Sequence, residues 1–436
     1  MQSPANKSTR AAVLWMLCLG PFFFAVYNAC NWFTAQRADV GSLVFAWERQ
    51  IPFMPWLILP YMSIDLFFAA SVLLCPNRAA LQRHVNRIIA AILISAAGFL
   101  LFPLKFTFEL PAVTGFNGQL FNLLHGFDKP YNQAPSLHIS LLMILWVQYS
   151  AHLPKLWRML TQAWFILIGV SVLAVYQHHA IDVLAGFFAG IFCLYLFPND
   201  GWHRHGFVAD AHSKRIGAYY AAGACLAALL AFVVQGWAWC LLLPCVALTI
   251  VALAYFGLGP GVFQKSAQGR FSTAAAVLLL PYLLGARLSA WWQLKQQAPY
   301  SVISASLAIG GYQAATRQQW HGVIDMAAEL SISTQHKVGY LNLGYVNLQV
   351  LDLTVPPKSI IQKALEVLNQ QQAGANYVYC ALGLSRSATV AAAWLVQQGL
   401  AENAHAAFMQ LKQLRPNTAW RKAHELAVDR LVRSRK

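Results

Sequence analysis

The chain has 436 residues, 58% of them hydrophobic and only 11% charged, with 31 Lys and Arg against 15 Asp and Glu for a formal charge of +16. Those proportions exclude a single water-soluble globule, because most of the apolar side chains have nowhere to go but lipid. The excess positive charge sits in short connections between apolar runs, a pattern that orients helices in a bilayer and touches anionic headgroups, so nucleic acid is not the expected partner.

Residues 1–10 are polar, and the apolar run that follows lacks a small-residue cleavage site, so 11–33 read as a retained first helix. Runs of about spanning length, roughly 20 residues, follow at 53–75, 87–104, 137–153, 160–177 and 180–197, then at 216–235, 237–257 and 272–290. With the N-terminus inside, Arg78, Arg83 and Arg87 share one cytoplasmic loop, Lys155 and Arg158 the next, and Lys214 and Arg215 a third. The opposite loops then hold 105–136 and the turn 177–182. Seven of the eight Cys lie in these apolar segments, where a small buried thiol is the ordinary role.

Two short motifs carry polar groups at the ends of apolar runs, where such groups are costly unless used or paired. The first is Asn132-Gln133-Ala134-Pro135-Ser136-Leu137-His138 and the second is Gln177-His178-His179-Ala180-Ile181-Asp182. His178 and Asp182 are four apart, so on a helix the carboxylate can hold one imidazole nitrogen and leave the other free to attack. His138 can then protonate a leaving group, and Ser136 with a nearby cation can bind phosphoryl oxygens. These motifs resemble those of the type 2 phosphatidic acid phosphatase (PAP2) superfamily, in its branch with Pro-Ser-Leu-His shared with inositol phosphorylceramide synthases, over about residues 55–195. The resemblance implies a phosphohistidine at His178, His138 as acid and Asp182 as its orienting partner. Two motif cations are absent: Asn122 stands where the first motif has Lys, and Val172 where the third has Arg. Lys129 and Lys105 are the substitute phosphate ligands. His203, His205 and His212 read as a solvated or interfacial loop rather than a metal site.

From Lys295 onward charges, Gln and Asn become frequent. Strand-like 302–309, helical 318–328, strand-like 350–355, helical 359–371 and strand-like 377–379 are followed by helical 387–398, 401–414 and 418–432, the pattern of an α/β domain. Within it, Val378-Tyr379-Cys380-Ala381-Leu382-Gly383-Leu384-Ser385-Arg386-Ser387 reads as strand, tight loop and helix start. A loop wrapped at a helix N-terminus aims backbone N–H groups at one anion and lowers a thiol pKa, making Cys380 a thiolate nucleophile. Arg386 can hold two phosphate oxygens in its planar fork, and Ser387 can hydrogen-bond the sulfur. The segment closely resembles the signature of dual-specificity phosphatases, as do Leu307-Ala308-Ile309-Gly310, Leu351-Asp352-Leu353-Thr354 and Arg415-Pro416. The resemblance runs from about residue 304 to the end of the chain and implies Asp352 as the acid for the leaving oxygen, with Gly383 and Ser385 in the phosphate-binding loop. Tyr379 departs from the His usual before the nucleophile. With no Lys or Arg between Cys380 and Arg386, a simple monoester fits the loop better than a densely phosphorylated headgroup.

The expected architecture is therefore a polytopic all-α membrane bundle, PAP2-like over 1–200 with about three extra helices and a linker over 201–292, followed by a soluble α/β cysteine-phosphatase domain over 293–436. The expected activity is phosphomonoester hydrolysis on phosphotyrosine, phosphoserine or lipid phosphate at an inner membrane, without metal or cofactor. For the bundle, a second His-based lipid phosphatase, a headgroup transferase and a non-catalytic anchor all stay open. So does the side of the soluble domain: nine spans place it opposite the cytoplasm, whereas a re-entrant 272–290 returns it.

Overall fold

The computed structural model describes residues 9–126, 128–202, 206–316, 320–331, 344–370 and 374–433. His203 and His205 lie outside them. The chain divides into two compact units, Met1–Gly201 and Trp202–Lys436. Among the described residues, six helices are long and apolar enough to cross a bilayer: Thr9–Thr34, Pro55–Leu74, Arg78–Leu101, Lys155–Ala174, Ala211–Val234 and Ala238–Leu258.

The first unit is helical: α1 (Thr9–Thr34), α2 (Ile58–Ser71), α3 (Arg78–Leu101), α4 (Gly115–His125), α5 (Leu137–His152), α6 (Lys155–Ala174) and α7 (Ala180–Leu196). α5 and α7, which the sequence suggested as full spans, have 16 and 17 residues. They meet through small residues. A Cβ at Gly186 would come within 2.5 Å of the Ser136 carbonyl oxygen, and one at Gly190 within 2.7 Å of that of Ser140. Ser140 Oγ uses the closeness, lying 3.0 Å from both the Ser136 and the Gly186 carbonyl oxygens. Such backbone approach is how helices pack where no hydrophobic effect drives them together. At the start of α5, Ser136 accepts the Ile139 N–H as an N-cap, and its own N–H donates to the Asp182 carbonyl at 3.0 Å. The two polar motifs, over 40 residues apart in sequence, are thus stitched together backbone to backbone.

The second unit begins with α8 (Ala211–Val234), capped by Asp210, and α9 (Leu242–Leu253). α9 unwinds through Ala254–Leu258, where Gly257 (φ 149°) and Gly259 (φ 74°) turn the chain. The expected span at 272–290 is two helices, α10 (Thr273–Leu278) and α11 (Leu280–Leu294), because Pro281 suits a helix start and not its middle.

The rest is a five-stranded sheet in the order β1 (Tyr300–Ser304), β2 (Leu307–Gly311), β5 (Asn376–Cys380), β3 (Gly322–Ala327), β4 (Gly344–Val350). Among the described residues, only β1 and β2 pair antiparallel; they form a hairpin where the sequence suggested one strand over 302–309. The segment expected as helix over 318–328 contains strand β3 instead. Every β3 residue is buried, Asp325 included, so the in-out alternation that marks a half-exposed strand disappears. Similarly, β4 ends at Val350, where 350–355 had been expected to begin a strand. Helices α12 (Lys358–Gln370), α13 (Arg386–Gln397), α14 (Ala404–Leu414) and α15 (Lys422–Arg433) complete the unit. β5 shows the layering: Val378 and Cys380 enter a core shared with α12–α15, while Tyr377 and Tyr379 enter one that includes Ala290 of α11 and Trp320.

Candidate active site

Cys380 ends β5, at the carboxyl edge of the parallel strands, and Arg386 opens α13. The loop between them bends back on itself at Gly383, whose φ is +75° and whose Cβ, if it had one, would come within 2.3 Å of the Gly310 carbonyl carbon. Gly383 is therefore required twice over, for its left-handed backbone and for its contact with β2. That placement gives the Leu307-Ala308-Ile309-Gly310 motif a physical meaning: Gly310 is the seat of the loop. Arg415 clasps the loop from behind, donating to the Leu382 carbonyl at 2.8 Å and to the Ala298 carbonyl at 2.9 Å.

The thiol of Cys380 is 3% exposed. Gly383 N–H donates to its Sγ at 3.3 Å, and Ser387 Oγ lies 3.5 Å away. Burial alone would push the thiol pKa up; the Arg386 guanidinium and the Ser387 contacts overcome that and hold it below the ordinary value. His424 supports the loop from α15. It accepts the Arg421 N–H on Nδ1, which leaves Nε2 to carry the proton facing Ser385 Oγ at 3.1 Å. Burial, and then the nearby Arg421, lower its pKa to about 4, so the ring is neutral at pH 7.

Arg386 is 1% exposed and fully committed. It forks onto Glu329 (Nη1–Oε2 2.9 Å, Nη2–Oε1 2.6 Å), donates to the Val350 carbonyl at 2.8 Å, and reaches Asp352 Oδ1 at 2.7 Å. Asp352 lies just past β4, with its side chain 42% exposed. Its carbonyl accepts the Tyr255 hydroxyl at 3.0 Å, and Leu353 beside it adopts φ +57°, a conformation a branched side chain avoids unless its surroundings impose it. Cys380, Gly383, Ser385, Arg386, Ser387 and Asp352 thus form one cluster. Glu329 and Tyr255 were not singled out in the sequence. Glu329 had a faint signal: it is one of 15 acidic residues in the chain and follows strand β3 by two residues.

The first unit holds a separate cleft lined by residues including His138, His178, Tyr61, Asn132, Asp65 and Asp128. The rings of His138 and His178 lie 6.4 Å apart, and His138 stacks on Tyr61 at 4.1 Å. α7 begins only at Ala180, so His178 precedes the helix and is not one turn below Asp182. Its Nδ1 stands 3.8 Å from Asp182 Oδ2 without a hydrogen bond, while that oxygen accepts the His179 N–H at 2.8 Å. The neighbouring His179 is the histidine firmly held by a carboxylate: its Nδ1 is 3.0 Å from Glu48 Oε2. Ser136 is fully buried as a helix cap. Lys105 and Lys129 are exposed, and neither lines the cleft. Among the described residues, no group of three or more His, Cys, Asp or Glu is arranged to hold a metal.

No protein-family model matches the chain, and no curated protein matches it. Among solved structures, the mixed-sheet part resembles tyrosine and dual-specificity phosphatase domains. Tk-PTP in its active form is 18% identical, with a TM-score of 0.28, over 30% of this chain and 95% of that one. PTPMT1 in complex with PI(5)P is 21% identical, with a TM-score of 0.29, over 31% and 96%. Human DUSP28 is 20% identical, with a TM-score of 0.27, over 31% and 95%.

Proposed function

We propose that the chain is a phosphomonoester phosphatase held at a bilayer by its apolar helices, with Cys380 as the nucleophile. The observation that carries this reading is the thiol itself, buried at the N-terminus of α13 between a loop N–H, a serine hydroxyl and a buried guanidinium, with its pKa lowered. The Cys380 sulfur attacks phosphorus, the P–O bond to the alcohol breaks, and Asp352 supplies the proton that leaves with the alcohol oxygen. Arg386 and the loop N–H groups hold the equatorial oxygens. Asp352 then takes a proton from the attacking water, the S–P bond breaks, and Ser387 eases departure of the thiolate as phosphate is released. The phosphoryl group competes with Asp352 for the Arg386 Nη2, which frees the acid as substrate seats.

In the first unit, a second, histidine-based phosphoryl site with His178 as nucleophile and His138 as acid is supported by their place in one cleft and by the Ser136–Asp182 backbone bond. The shortage of cations there is equally compatible with a headgroup transferase. The test is phosphate release by the full-length protein from p-nitrophenyl phosphate, a phosphotyrosine peptide and phosphatidic acid. Cys380→Ser should abolish release from the two soluble substrates; retained release would sink the thiolate reading. Lipid activity that survives Cys380→Ser and disappears with His178→Ala would establish the second site.

A further inference from the structure

Asp65 lies on α2 within an apolar span of 20 residues, Pro55–Leu74. It is exposed and makes no hydrogen bond or ion pair with any described residue. A carboxylate at such a position is costly against lipid and calls for a counter-charge. It lines the cleft of the first unit, whose enclosed part is about 30 Å³, the rest of its space being open to solvent. Asp128 lines the same cleft and accepts the Tyr27 hydroxyl at 2.8 Å. No Lys or Arg lines the cleft.

Two further features point to what the cleft takes. Tyr61 and Asn132, each 1% exposed, carry a hydroxyl and an amide oxygen with no hydrogen-bond partner among the described residues, and both residues line the cleft. A buried unpaired polar group is costly unless a ligand satisfies it. The remaining wall is apolar, part aliphatic and part aromatic: Phe23 stacks on Tyr27 with ring centroids 5.4 Å apart, and Phe24 and Tyr61 add two more rings. Carboxylates, orphan acceptors and aromatic faces together describe a receptor for a cation rich in N–H donors, not for a bare phosphate.

We propose that this cleft binds the primary-ammonium headgroup of a zwitterionic phospholipid, with the ammonium between Asp65, Asp128 and the Asn132 amide oxygen and the aromatic rings around its methylenes. The phosphodiester of the same headgroup, a few bonds from the ammonium, then falls toward the His178 ring. A quaternary ammonium offers no N–H to the orphan acceptors, so it binds more weakly than a primary one. The assignment rests on the cleft and does not need His178 to be a nucleophile.

The experiment uses the full-length protein in neutral detergent and native mass spectrometry, with short-chain phosphatidylethanolamine, phosphatidylcholine, phosphatidylglycerol and phosphatidic acid as probes. Phosphatidylethanolamine should be retained at least tenfold better than the two anionic lipids and better than phosphatidylcholine. Asp65→Asn should cut that preference at least tenfold, and Asp65→Asn with Asp128→Asn should erase it. An unchanged melting temperature of the full-length protein reports that each variant is folded. Should Asp128→Asn fail to fold, Asp65→Asn decides alone, since Asp65 makes no hydrogen bond or ion pair among the described residues. Equal retention of all four lipids, preference for an anionic one, or preference unchanged by Asp65→Asn overturns the proposal. Loss of Cys380 activity without loss of lipid retention would instead strike only at the phosphatase reading.

Discussion

Glu329→Gln is the most informative single change at the Cys380 site, because Glu329 touches no substrate yet fixes the guanidinium that would. Arg386 gives Glu329 two bonds, at 2.9 and 2.6 Å, and with glutamine only one oxygen remains to accept while an N–H₂ faces the fork. Losing one charge-assisted bond costs about 1.5–3 kcal/mol. At about 1.4 kcal/mol per decade that is a fall of roughly 10- to 150-fold in kcat/KM. The fall should appear in kcat as well as KM, because the fork must be in register when charge spreads over the equatorial oxygens. Steady-state hydrolysis of p-nitrophenyl phosphate gives both parameters, and competitive inhibition by inorganic phosphate gives ground-state binding separately. Glu329→Gln within threefold of wild type, in a protein that melts normally, would refute the view that the Glu329 fork positions Arg386.

Three other outcomes follow from the same geometry. Gly383→Ala must both strain φ and collide with Gly310, so activity should fall by about 100-fold or more, as when an oxyanion donor is misplaced, in steady-state assays of the soluble monoester. Alkylation of Cys380 by iodoacetamide should rise with pH to a plateau whose midpoint lies below the ordinary thiol value of about 8.5. Because the thiol pKa is depressed on folding, its stabilising contribution is present above the unfolded value and lost as pH falls through the folded one. Cys380→Ser should therefore flatten the melting temperature against pH across that window. Lys265→Met leaves Asp325 buried without its cation, removing a bond of 2.5 Å between fully buried partners, so a loss of about 3–5 kcal/mol is expected from denaturant titration. Adding Asp325→Leu should restore much of it, which an unrelated packing defect would not allow.

How far the sequence could be read depended on whether a signal was local. Cys380 and Arg386 are six apart on a strand, loop and helix, so one turn of chain supplies the nucleophile, the anion cradle and the cation together. Glu329 lies 57 residues from its partner and is joined to it by sheet order alone, with no spacing to reveal it. Strand β3 read as helix because burial on both sides removed its alternation, and residues 272–290 read as one span because apolarity outweighed a single proline. Around His178 the i,i+4 spacing held in sequence but not in space, because α7 begins two residues after His178. His179, whose partner Glu48 is 131 positions away, gave no sign of its carboxylate.

The segment that follows α9 joins two chemically different worlds. Lys265 sends its ammonium to Asp325 and the Ala327 carbonyl, while its own carbonyl and that of Ser266 accept the side chains of Gln349 and Asn347 on β4. β4 is the outer strand of the sheet, the position where proteins ordinarily guard against pairing with stray chains. Here the guard is lent by the apolar part of the unit. The cysteine-bearing sheet is therefore not a detachable module: cut free at residue 293, it would keep its nucleophile but lose the cover of its border and the counter-ion of a buried aspartate.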